Sequence, residues 1–118
     1  MSIQSFDADI KKFAKKAGLE VDKVVRSVVL HAYRGVTLKT PVDTGRARAN
    51  WNISEGEMNT SVNKNATQIQ PFRKPTGKRD VYITNSLPYI MLLEKGSSKQ
   101  APQGMVDITM NEIRSSFK

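Results

Sequence analysis

The 118-residue chain has no cysteine, one histidine and one tryptophan. Without cysteine there is no disulfide framework, no thiolate nucleophile and no Cys-ligated zinc or iron–sulfur site. A lone histidine leaves no second imidazole to share a metal, so no metal or other cofactor is expected. Long apolar runs are missing as well: none approaches the roughly 18 residues of a membrane span. The opening Met1-Ser2-Ile3-Gln4 carries neither a basic n-region nor an apolar h-region. The chain is expected to be soluble, intracellular when made, and free of membrane contact.

What is there is basic. Lys and Arg number 19 against 11 Asp and Glu, a formal net charge of +8, and hydrophobic residues make up 38%. That fills one modest core, so a single domain over residues 1–118 is expected and a second catalytic domain is excluded. Charge is densest over residues 63–79, where Lys64, Arg73, Lys74, Lys78 and Arg79 stand without an acidic residue, among prolines, a glycine and amides. This composition reads as an exposed basic loop. Beyond Met58 its sizeable apolar residues are Val62, Ile69 and Phe72, too few to offset the ordering entropy, so the loop at about residues 57–79 is expected to be mobile. Its five cations are candidates to face DNA, because neutralising phosphate is the sequence-independent part of nucleic-acid affinity. One aromatic, Phe72, does not make a base-stacking platform.

Phe6, Ile10, Phe13, Ala17, Val21, Val24, Val28, Ala32 and Val36 recur at spacings of three and four, the pattern of an amphipathic helix. Ser5 or Asp7 can cap it, Gly18 can divide it into a short and a longer piece, and Pro41 stops it. His31 falls inside this run and is expected at the edge of the core. In Thr40-Pro41-Val42-Asp43-Thr44-Gly45-Arg46, Asp43 can bond the amides that follow it as an Asx-turn or cap. Arg46 to Asn50 can form a helical turn, and Trp51-Asn52-Ile53-Ser54 alternates like a strand. Asp80-Val81-Tyr82-Ile83-Thr84-Asn85 is the clearest strand, pairing with the first as an antiparallel hairpin. Trp51 and Tyr82 are both expected on sheet faces covered by the long helix. Pro88 opens a short helix through Glu94 with Gly96 as its left-handed stop. A last helix is expected from near Pro102, with Val106, Met110, Ile113 and Phe117 on one side.

Asp43 with Thr44 and Arg46 lacks a histidine base, a phosphate loop and a second carboxylate at helical spacing, so catalysis is not expected. Glu94 ends a helix, where the macrodipole disfavours negative charge. A cationic partner is therefore expected, Arg46 or Arg48, within the chain or across a subunit boundary.

Two separated blocks carry a resemblance. They are Thr40, Pro41, Asp43, Thr44, Gly45, Arg46, Arg48 and Trp51, and then Asn85, Pro88, Tyr89, Glu94 and Gly96 through Ala101 and Pro102. Together they resemble the tail-completion or head–tail joining proteins of long-tailed bacteriophages, also filed as minor tail or neck proteins. Lys95 and Gln103-Gly104-Met105 depart from that family's pattern. The resemblance implies an α+β fold, with a long N-terminal helix and C-terminal helices packed on a small antiparallel β-sheet. It implies a non-enzymatic virion protein at the head–tail junction, present in the host cytoplasm during assembly, that completes the tail and joins it to the head connector. Its implied partners are other head-connector and tail proteins and copies of itself, in a homo-oligomeric ring such as a hexamer around the DNA channel, from a monomer when isolated. Non-specific contact with genomic DNA would follow. The composition alone leaves open a sequence-nonspecific nucleic-acid-binding module.

Overall fold

The computed structural model describes residues 7–42, 45–72, 74–96 and 104–116. Five helices and a two-stranded antiparallel sheet make an α+β fold among them. The N-terminal amphipathic pattern is divided at Gly18, whose φ of 69° turns the chain between α1 (Asp7–Ala17) and α2 (Val21–Lys39). Ile10 and Ala14 of α1 pack against Val24 of α2, flanked by Phe13, Val25 and Val28. Ala17 and Val21, expected on the apolar face, are exposed at the break. Phe6 and Ser5 lie outside the described residues.

The main core is a second cluster. Tyr33 and Val36 of α2 meet Ala47 of α3 (Arg46–Ala49), Trp51, Leu87, Ile90 of α4 (Ile90–Glu94) and Met105. Strands β1 (Asn52–Glu55) and β2 (Val81–Thr84) pair in the register Ile53 opposite Ile83 and Ser54 opposite Tyr82. Because side chains alternate across a strand, only one of these pairs can face the core. Ile53 and Ile83 do. Tyr82 therefore lies on the other face, half-buried, a correction to the expectation that the long helix covers it.

Helix α5 (Val106–Ser116) crosses α2 where Gly35 meets buried Thr109. A Cβ on Gly35 would stand 2.5 Å from Thr109 Cγ2, so the crossing depends on the missing side chain. The helix begins at Val106 rather than near Pro102, which lies outside the described residues, as do Gln103 and Phe117. Ile113 is buried and Val106 and Met110 are half-buried, as the spacing predicts.

Candidate functional site

The first of the two sequence blocks folds around the C-terminal end of α2. Thr40, fully buried, bonds back to the Val36 carbonyl through Oγ1 and accepts the Trp51 indole N–H at 2.8 Å on the same oxygen. Arg48 returns from α3 to donate from Nε to the Thr40 carbonyl at 2.8 Å and from Nη2 to the Leu38 carbonyl at 2.9 Å. A cation on the last carbonyls of a helix satisfies acceptors that have no intrahelical donor and sits at the negative end of the dipole. Pro41 is buried beside it, and Arg46 is exposed on α3. Gly45 opens α3 with a φ of 79°, and a Cβ there would lie 2.5 Å from the Thr67 carbonyl oxygen. Asp43 and Thr44, with the expected Asx-turn, lie outside the described residues.

The second block is laid directly on the first. Asn85 Nδ2 donates to the Ala47 carbonyl at 2.9 Å, while its Oδ1 accepts the Leu87 amide at 3.2 Å. Leu87 and Ile90 are buried against Ala47 and Trp51, Tyr89 packs on the same core, and Pro88 is exposed. Gly96 has the expected left-handed conformation, φ 87°. Ala101 and Pro102 lie outside the described residues.

Glu94 does not take the partner expected of it. Its Oε1 accepts the amides of Met105 at 2.9 Å and Val106 at 2.8 Å, and Oε2 accepts that of Asp107 at 3.1 Å. The carboxylate at the end of α4 thus caps the start of α5, where unpaired N–H groups and the positive end of a dipole offer what a guanidinium would have offered. Arg48 is spent on α2. The signal for this was negative: Gln103-Gly104-Met105 holds no Ser, Thr, Asp or Asn to cap the last helix locally, so its cap comes from elsewhere.

The basic loop is bound to the body by polar contacts that a count of apolar residues misses. Asn50 Oδ1 accepts the Asn63 amide at 2.8 Å and its Nδ2 donates to the Asn63 carbonyl at 3.0 Å. Tyr33 donates its hydroxyl to the Gln70 carbonyl at 2.6 Å, and Phe72 lies 6.1 Å from the Tyr33 ring. Burial pushes the Tyr33 hydroxyl above its ordinary pKa. Glu55 accepts the hydroxyl of Thr76 at 2.6 Å and the amides of Thr76 and Gly77 at 3.1 and 3.0 Å. The Thr76 hydroxyl first, then the Thr76 amide, hold this carboxyl down to about 2. Lys64, Lys74, Lys78 and Arg79 are exposed, and Arg73 lies outside the described residues. Asn50, Glu55, Gln70 and Tyr33 were not singled out from the sequence, where nothing in their spacing marks them.

His31 is exposed rather than at the edge of the core, on the rim of a groove of about 360 Å³ lined by Phe13, Val24, Val28 and Ile113. Among the described residues no group of three or more His, Cys, Asp or Glu side chains is placed to hold a metal, and no helix is long and apolar enough to cross a membrane. Compared with protein-family models, with curated proteins and with solved structures, the chain finds no match.

Proposed function

We propose that the chain is a structural protein of the phage head–tail junction, completing the tail and joining it to the head connector as one subunit of a ring around the DNA channel. The supporting observation is the Asn85 to Ala47 hydrogen bond: the two blocks that carry the resemblance, 38 residues apart at this contact, meet in one knot with Trp51 at its centre. The side chains of Thr40, Arg48, Asn85 and Glu94 are engaged in closing helix ends and turns, the work of a rigid scaffold. Beside the knot, Leu38, Val42, Met91 and Leu92 are exposed, Leu38 and Leu92 by 61% and 59%, and a neighbouring subunit or connector protein would cover such side chains.

The test is removal of the gene from the phage genome that carries it, followed by electron microscopy. Separate filled heads and finished tails, rejoined when the chain is supplied in trans, are the expected outcome. Complete virions without the chain would overturn the reading, and so would a monomer at all concentrations that binds duplex DNA at micromolar affinity and leaves assembly unaffected. That last result would select the nucleic-acid-binding module.

A further inference from the structure

A second concentration of positive charge is on α1, after the Asp7 and Asp9 of its first turn. Lys11, Lys12, Lys15 and Lys16 are all exposed, while Ile10 and Ala14 face α2. With 3.6 residues per turn the four lysines fall within an arc of about 140°. They form two i,i+4 pairs of like charge, Lys11 with Lys15 and Lys12 with Lys16, an arrangement that destabilises a helix. Among the described residues no hydrogen bond or ion pair takes up any of the four ammonium groups; the ion pairs found are Arg26 with Asp22 and Lys39 with Glu112.

The fold adds to this charge at the turn into α2. Lys23 is exposed there. Arg26 Nη1 donates to the Thr76 carbonyl at 3.2 Å, and Gly77 lies so close to α2 that a Cβ on it would stand 2.8 Å from Asp22 Cβ. The neighbouring Lys78 is thereby brought to the first turns of α2. Elsewhere on the loop the Arg79 guanidinium lies against Gly56, and Lys64 follows the Asn63 that is clasped by Asn50. Residues 81–118 hold Lys95, Lys99, Arg114 and Lys118 against Glu94, Asp107 and Glu112, close to balance, so the excess charge belongs to the other part of the chain.

We propose that Lys11, Lys12, Lys15 and Lys16, with Lys23, form a docking surface for the phosphate backbone of duplex DNA. All five are lysines, compact hydrated point charges suited to phosphate, and contacts to phosphate carry no sequence information, so binding is independent of sequence. Phe13 packs toward α2 instead of standing among these lysines, and without an aromatic platform the surface favours a duplex over unpaired bases. The surface needs only a duplex. A chain that failed to join heads to tails would still bind, which keeps this inference separable from the assembly role.

The full chain is titrated into a labelled mixed-sequence duplex of about two helical turns at about 50 to 200 mM salt. Each phosphate contact contributes about 0.9 to the slope of log affinity against log salt. Lys11→Gln, Lys12→Gln, Lys15→Gln and Lys16→Gln made together should reduce that slope by about 3 to 4 and weaken binding at about 100 mM salt at least about ten-fold. Lys95→Gln should change neither. The fourfold change removes like-charge repulsion within α1 but also the favourable charge of Lys15 and Lys16 on its last turn, so helix content and thermal midpoint are measured alongside and binding is compared where both chains are folded, which separates lost binding from lost folding. An unchanged slope in that variant, a loss found only with Lys74→Gln, Lys78→Gln and Arg79→Gln, or tighter retention on phosphatidylserine vesicles than on DNA would each overturn the assignment.

Discussion

Glu94 Oε1 lies 2.8 Å from the amide nitrogen of Val106, so the last residue of α4 supplies the cap that the first turn of α5 lacks in its own sequence. Three N–H groups converge on this one carboxylate, and Gly104 allows the approach: a Cβ there would collide with the Glu94 carbonyl oxygen. Glu94→Ala should cost about 0.5–2 kcal/mol, the range for a lost cap, and Glu94→Gln less because an acceptor remains. Denaturant unfolding measures the cost, and amide exchange at Met105, Val106 and Asp107 locates it. Unchanged stability in Glu94→Ala would refute the capping role.

Thr40 and Trp51 form the centre of the knot. Trp51 is 4% exposed, so Trp51→Ala should cost about 3–5 kcal/mol, as for other buried aromatics. Its indole N–H has Thr40 Oγ1 as partner, and Thr40→Val leaves that donor buried and unsatisfied. A double-mutant cycle with Trp51→Phe should give a coupling of about 0.5–1.5 kcal/mol. Additive effects, or tryptophan emission typical of a solvated indole in the intact protein, would contradict the burial.

At Gly35, an alanine would gain about 1 kcal/mol of helix propensity but must displace Thr109, which is itself buried and bonded to the Met105 carbonyl. Overpacking typically costs about 1–3 kcal/mol, so Gly35→Ala should be net destabilising, and Gly35→Ala with Thr109→Ser should recover part of the loss. Thermal melts of the single and double variants decide it. A more stable Gly35→Ala would mean that α2 and α5 do not cross this closely.

The helices and the hairpin were legible because 3.6-residue and 2-residue periods are local properties. The break at Gly18, the stop before Pro41 and the left-handed Gly96 followed from backbone chemistry alone. What failed was partner choice. The cost of a carboxylate at the end of α4 was visible in the sequence, but which helix end lay beside it was decided by tertiary packing. Tyr82 was misplaced for a related reason: alternation says which residues share a face, and only the register with β1 says which face is covered. Gly35 carried no local signal, since its role exists only where α5 crosses.

Glu55 makes stability depend on pH in a stated direction. Its carboxyl is held down to about 2 in the folded chain, below the ordinary value, so its contribution is whole above about pH 4.3 and is lost as the pH falls toward 2. The thermal midpoint of the native chain should therefore fall more steeply across that window than that of Glu55→Gln, the two converging at the acid end. Parallel curves would remove Glu55 as the clasp of the Thr76 to Gly77 segment.

The loop brings two expectations into opposition. Few apolar residues between Met58 and Arg79 argue for mobility, while the contacts of Asn50, Glu55 and Tyr33 tie the same segment to the body at three places. Each tie uses backbone groups of the loop, so exchange should be uneven along it. The amides of Asn63, Thr76 and Gly77 should exchange more slowly than those of Met58 and Lys64, which have no partner among the described residues. Asn50→Ala removes the Asn63 tie, should cost about 0.5–1.5 kcal/mol because water reaches the exposed Asn63, and should speed exchange at Asn63 while sparing Thr76 and Gly77. Uniformly fast exchange across the segment would mean that the ordering entropy wins and the ties form only in an assembly. Uniform protection matching α2 would mean that the segment is part of the rigid fold. Uneven protection, with its minima at the loop cations rather than at their tethers, leaves lysine side chains free to adjust to a charged partner while the backbone that carries them stays in place.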